Sequence, residues 1–192
     1  MALNGKCPRF HVDNVGTTPA ALATYLTVTT LKPDLVITAG TAGGFQRQGG
    51  VIGDVYLASG ICHHDRRIPL PGFDNYGFGS HCAAKSINLA KHLECKVGVC
   101  TTSNSLDHTE KDDEVMIAND ASIKEMEAAA VAWVCEQVKV PMIAVKVITD
   151  IVDAGKPSHE QFLDNLATAA LTLQATLPKV IDFISGKSLA EL

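Results

Sequence analysis

The run Pro141-Met-Ile-Ala-Val-Lys-Val-Ile148, closed by Thr149-Asp150, constrains the fold of this chain more than any other segment. It is rich in β-branched residues and too short for an ordinary helix. It therefore predicts a strand buried on both faces, the kind found in parallel sheets covered by helices. In open α/β sheets, ligands collect beyond the carboxyl ends of such strands, so Asp150 is expected to face a pocket. Capping of the following segment is the other role open to an Asp in this position.

The rest of the chain alternates in the same way. Thr18 to Thr30 carries Ala, Leu and Val at helical spacing, after an Asn14-Val-Gly-Thr17 turn that can cap it. Leu35-Val-Ile-Thr38 reads as a strand that stops in the glycine loop Ala39-Gly-Thr-Ala-Gly-Gly44. Asp54 to Ser59 is a second strand, followed by a long loop from His63 to His81. Ala83 to Leu93 reads as helix, Lys96 to Cys100 as strand, and Thr101 to Asn119 as a polar stretch. Within that stretch, Glu110 to Glu114 is a solvated turn or a helix start. Ala128 to Val138 is a helix. The residues before it fit either a capping box, Ser122 to Glu125, or a strand ending near Met126. Ser158 opens a long amphipathic helix that Pro178 should kink or divide and Gly186 should end.

This alternation predicts one α/β domain over residues 1–192, with a mixed, mostly parallel sheet flanked by helices. Its 46% hydrophobic residues are enough for a sizeable core. A net charge of -5, with no dense Lys/Arg cluster, argues against a nucleic-acid or anionic-membrane surface. No apolar stretch is long enough to span a bilayer, and the first residues lack a secretory h-region, so a soluble, cytoplasmic protein is expected. The six cysteines form no CxxC pair, which favours reduced structural thiols over disulfides or zinc.

Three strand-end features can carry chemistry. The glycines of Gly40 to Gly44 let the backbone approach a ligand, with the Thr41 hydroxyl beside them; a plain tight turn is the alternative. Glu127, after Met126, can bind a ligand or simply stabilise a helix start. Thr149-Asp150 is the third. Two carboxylates following apolar segments suit divided labour, one donating a proton to a leaving group and the other accepting hydrogen bonds from hydroxyls. His63 and His64 lack a third ligand at convincing spacing, so no metal site is expected.

Taken in order, Asn14 to Ala20, Ala39 to Gly44, His64-Asp-Arg-Arg-Ile-Pro69, Glu125-Met-Glu-Ala-Ala-Ala-Val131 and Thr149-Asp-Ile-Val-Asp153 resemble plant-type 5'-methylthioadenosine nucleosidases of the purine nucleoside phosphorylase superfamily. The resemblance runs from about Val12 to the C-terminus. It implies a nucleoside phosphorylase-like fold, a homodimer, no cofactor, and hydrolysis of the N-glycosidic bond of a small nucleoside. On this resemblance Asp150 is the general acid toward N7 of adenine and Thr149 positions it. Glu127 accepts from the ribose hydroxyls, Met126 packs on the sugar, and Thr41, Ala42 and Gly43 line the ribose and base region. Asn104 stands where the family has an Asp after the strand bordering the base, keeping hydrogen-bonding capacity without the charge. The family's water-activating glutamate lies on an opening strand, and Met1 to His11 contain no glutamate, so the resemblance implies a chain lacking that N-terminal portion. A catalytically silent storage or binding relative and a nucleoside phosphorylase are the alternatives.

Overall fold

The computed structural model describes residues 2–155 and 158–192. Five strands form its centre: β1 (Val36–Gly44), β2 (Val55–His63), β3 (Lys96–Thr102), β4 (Ala121–Glu125) and β5 (Met142–Ile151). Six helices surround them: α1 (Thr17–Leu31), α2 (Asp74–Phe78), α3 (Ile87–Leu93), α4 (Glu110–Ala118), α5 (Ala128–Val138) and α6 (Ser158–Ile184). The sheet is mixed, as expected. β1 runs parallel to β5, β2 to β3 and β3 to β4, whereas β1 with β4 and β2 with β5 are antiparallel.

It is not an open sheet, however. The strands close in the order β1-β4-β3-β2-β5, and the β1–β4 seam consists of two pairs only, Gly43 with Lys124 and Gly44 with Ile123. The right-handed twist of the strands brings the two edges together at one end. Along the rest of β1, its outer edge faces a groove of about 440 Å³ beside α1, with Glu127 and Lys146 at one end.

β5 carries the core, and every residue from Met142 to Asp150 is buried. Its side chains alternate between two clusters. Met142, Ala144 and Ile148 face Ala20 of α1 and the small residues Ala128, Ala129 and Ala132 of α5. Ile143 and Val145 face Leu89 of α3 and Val180 of α6. Alanines on α5 allow close helix–sheet approach, and the observed helix has the expected ends.

Several local readings change. The expected glycine loop is strand: β1 continues through Gly44, because Gly43 and Gly44 leave room for side chains leaning in from β5. Of the alternatives before α5, the strand is the one formed, since Ala121 to Glu125 pair with β3. The acidic stretch is a helix start, secured by a capping box between Thr109 and Asp112. α3 begins only at Ile87, four residues later than Ala83. Pro178 does not divide α6, because Leu173 before it and Val180, Phe183 and Ile184 after it pack into one cluster.

The most consequential departure is in β5. Ala42 pairs with Ile148 but Gly43 pairs with Asp150, so Thr149 is an extra residue in the ladder, a β-bulge. Asp150 is thus inside the strand and caps nothing. A Cβ at Gly43 would lie 2.8 Å from Asp150 Oδ2 and 2.7 Å from Val152 Cγ2. Gly43→Ala is therefore expected to destabilise the fold by about 1–3 kcal/mol, the usual range for overpacking, measurable as a lowered urea midpoint at unchanged m-value.

Candidate active site

The bulge decides where Asp150 points. It directs the carboxylate over Gly43 into a cavity of about 160 Å³. The Thr149 hydroxyl donates to Asp150 Oδ1 at 2.8 Å, with the Ala42 carbonyl 3.3 Å away as a second acceptor. Oδ1 is thereby occupied, and Oδ2 is the oxygen leaning over Gly43. From α6, Asn165 Nδ2 donates to the Thr149 carbonyl at 3.0 Å, holding the strand end in place.

The same cavity is lined by Thr41, Ala42, Gly43, Met126, Glu127, Thr149 and Asp150. Thr41 and Asp150, 109 positions apart in the chain, thus do meet, at the end of the sheet where β1, β4 and β5 come together. Val15, Leu106, Lys124, Glu125, Val152 and Phe162, none of them expected there, complete the wall. The larger groove beside β1 shares only Glu127 with this cavity, whereas the groups able to do acid–base chemistry converge in the smaller one.

Asn104 lies elsewhere. Its Oδ1 accepts from the Thr17 amide at 2.9 Å and the Thr17 hydroxyl at 2.8 Å, tying down the start of α1. Its own amide donates to Asp65 Oδ2. These bonds commit the side chain to the turn at Gly16, which adopts φ of 94°. That turn in turn serves the cavity, because the Gly16 amide donates to Glu127 Oε1 at 2.8 Å.

Glu127 is not a helix cap. It is the N-cap residue of α5 without any side-chain cap bond, and the capping is performed by Glu125. The Glu125 carboxylate accepts from the amides of Glu127 (3.0 Å) and Ala128 (2.9 Å) and from the Thr102 hydroxyl. It also accepts from Lys146 Nζ at 2.8 Å, and both partners of this ion pair are almost fully buried. Burial alone would drive the Glu125 carboxyl up and the Lys146 ammonium down. Each outweighs that penalty on the other, so Glu125 is held below the ordinary 4.5 and Lys146 above 10.5. Glu127 is different: burial, and then the neighbouring Glu125 charge, push its carboxyl above the ordinary value. The signal for Glu125 was present in the sequence, since a Lys inside an otherwise apolar buried strand needs an acidic partner.

His63 and His64 are buried, and that burial holds both near 4 and hence neutral at pH 7. Among the described residues no group of three or more His, Cys, Asp or Glu could hold a metal ion. All six cysteines are free thiols, and no described helix is long and apolar enough to cross a membrane.

Residues 2–182 match the Phosphorylase superfamily. The chain belongs to that superfamily. Within it, this member is similar to the 5'-methylthioadenosine nucleosidase of Arabidopsis thaliana, 46% identical over all of this chain and 73% of the relative. It is similar as well to a 5'-methylthioadenosine/S-adenosylhomocysteine nucleosidase of the same plant, 50% identical over 98% of this chain and 74% of the relative. The solved apo structure of the Arabidopsis 5'-methylthioadenosine nucleosidase superposes with a TM-score of 0.96 at 47% identity, over 98% of this chain and 77% of that one. A nucleosidase from Colwellia psychrerythraea in complex with adenine matches at a TM-score of 0.76 and 25% identity, over 93% and 81% of the two chains. The superfamily fold expected from the motifs is therefore the fold observed.

The buried pair sets a pH window for this superfamily member. A lowered carboxyl contributes stability that is present above the unfolded value near 4.5 and is lost as pH falls through the native value. A raised ammonium contributes stability that is present below about 10.5 and is lost as pH rises through its native value. Between those limits Lys146→Met leaves a buried unpaired carboxylate and is expected to cost about 3–5 kcal/mol in urea unfolding. Adding Glu125→Gln to Lys146→Met should recover most of that loss.

Proposed function

We propose that this protein hydrolyses the N-glycosidic bond of 5'-methylthioadenosine, releasing adenine and methylthioribose in methionine salvage. The observation that carries this reading is the meeting of Asp150 and Glu127 in one cavity, in a chain 46% identical to a 5'-methylthioadenosine nucleosidase. Thr149 holds Oδ1 of Asp150, leaving Oδ2 over Gly43 to carry a proton into the cavity. That proton goes to N7 of adenine while the C1'–N9 electron pair leaves with the base. Water supplies the oxygen that C1' gains, and its released proton restores Asp150. Glu127 accepts from the ribose hydroxyls, with Met126 against the sugar and Thr41, Ala42 and Gly43 along the ribose and base. Asn104 serves this site indirectly, through the Gly16 turn that holds Glu127.

Cytoplasmic location and a homodimer complete the reading. Dimerisation is supported by the outward face of α1, where Leu22, Tyr25 and Leu26 are exposed on a helix with no charged residue.

Liquid chromatography of adenine release, with and without phosphate, tests the assignment. Asp150→Asn is expected to reduce kcat by about 10²- to 10⁴-fold, the contribution of a general acid, with the affinity for substrate little changed. Glu127→Gln is expected mainly to raise KM. A phosphate requirement would make the protein a phosphorylase, and unchanged turnover in Asp150→Asn would sink the assignment of the acid.

A further inference from the structure

Lys124 is a buried lysine in the wall of the cavity that the chemistry above does not use. Its position follows from register. Gly43 pairs with Lys124 on one side and with Asp150 on the other, so the three stand in one row across β4, β1 and β5. Residues directly opposite in such a row project to the same face. The middle member has no side chain, and nothing from β1 separates the ammonium of Lys124 from the carboxyl of Asp150. Lys124 Nζ donates to the carbonyls of Leu106 at 2.7 Å and Ser105 at 3.2 Å, and Leu106 also lines the cavity. An ammonium has three hydrogens, so one remains beyond these two bonds.

We propose that Lys124 is a positioning and charge-compensating residue for the base-leaving step: its ammonium fastens the Ser105–Leu106 wall and stabilises the carboxylate left on Asp150 once the proton has gone to the base. The inference rests on the nucleosidase reading. The physical need is plain. Giving its proton to the base leaves Asp150 as an anion on a buried side chain, where an unpaired charge is costly. A cation fixed in advance lowers the energy of that state without having to reorganise. The same positive charge favours the electron-rich base as C1'–N9 breaks.

The charged and titratable groups around Lys124 are Asp150 on β5, Glu125 on β4, Asp107 before α4, Asp112 on α4 and His64 after β2. Burial outweighs the acidic ones and holds the ammonium below its ordinary 10.5. Lys124 should therefore lose its proton at a lower pH than a surface lysine, giving the pH profile of kcat an alkaline limb.

The test compares Lys124→Met and Lys124→Arg with the unaltered chain, using kcat and KM for 5'-methylthioadenosine across pH, calorimetric adenine binding and thermal unfolding. Lys124→Met is expected to lower kcat by about 100-fold, the scale of one lost preorganised electrostatic partner, and to abolish the alkaline limb. Lys124→Arg should keep most of kcat and move that limb to higher pH, because a guanidinium stays charged. If Lys124→Met unfolds, the shift in Lys124→Arg still decides. A profile identical in all three proteins, or a Lys124→Met variant that loses only thermal stability, would overturn the inference. An unaltered chain that neither binds adenine nor releases it would overturn the nucleosidase reading and this inference with it.

Discussion

The buried ion pair between Lys146 and Glu125 is the contact on which the rest of the site depends. It joins β5, which carries the acid, to β4, which leads into the helix carrying Glu127. Glu125 also closes the first turn of α5 and binds the Thr102 hydroxyl of β3, so one carboxylate ties three strands and a helix start together. Placing two charges in a protein interior costs several kcal/mol per ion before their attraction and hydrogen bonds offset it. Here each acceptor position on Glu125 is filled, which is the condition under which such a pair is tolerated.

This arrangement frees Glu127. Directly after a strand and at the start of a helix, its expected role included terminal stabilisation, and Glu125 performs that task instead. Glu127 is left half-buried, with one hydrogen bond from the Gly16 amide and a carboxyl pushed up by burial and by Glu125. A carboxylate with spare acceptor capacity in a cavity can receive hydroxyl hydrogens. Asp150 reaches the same cavity through a different device, the extra residue at Thr149, which rotates the strand end and lays the carboxyl over a glycine. Two carboxylates thus occupy one site in different environments, one engaged by a hydroxyl and one by a backbone amide, as a division between acid and acceptor requires.

Most of the secondary structure was legible because its signals are local. The burial of β5 followed from an unbroken β-branched run, and the ends of α5 from its apolar periodicity. The readings that changed were those decided by remote partners. Gly40 to Gly44 carry turn residues, yet they extend a strand because Ile148, Asp150 and Val152 fill the space that side chains would have taken. Pro178 stays within a helix because the core on both sides of it is shared. At the site, Asp150, Glu127 and the Thr41 to Gly43 segment were legible as strand-end features, while Lys124 and Leu106 were not, since neither stands at the end of an apolar run. Asn104, expected at the base, is held at the start of α1 by Thr17, some 87 positions away in the chain.

By itself the sequence determined the fold class, the buried strand before Asp150 and the two carboxylates able to do chemistry, because these depend on the order and period of apolar residues along the chain. The tertiary structure alone decided that the sheet closes, that Glu125 rather than Glu127 caps α5, and that Lys124 and Asp150 flank a bare Gly43. Those outcomes depend on register between strands distant in the chain, and a shift of one residue, such as the one at Thr149, turns a side chain from one face of the sheet to the other.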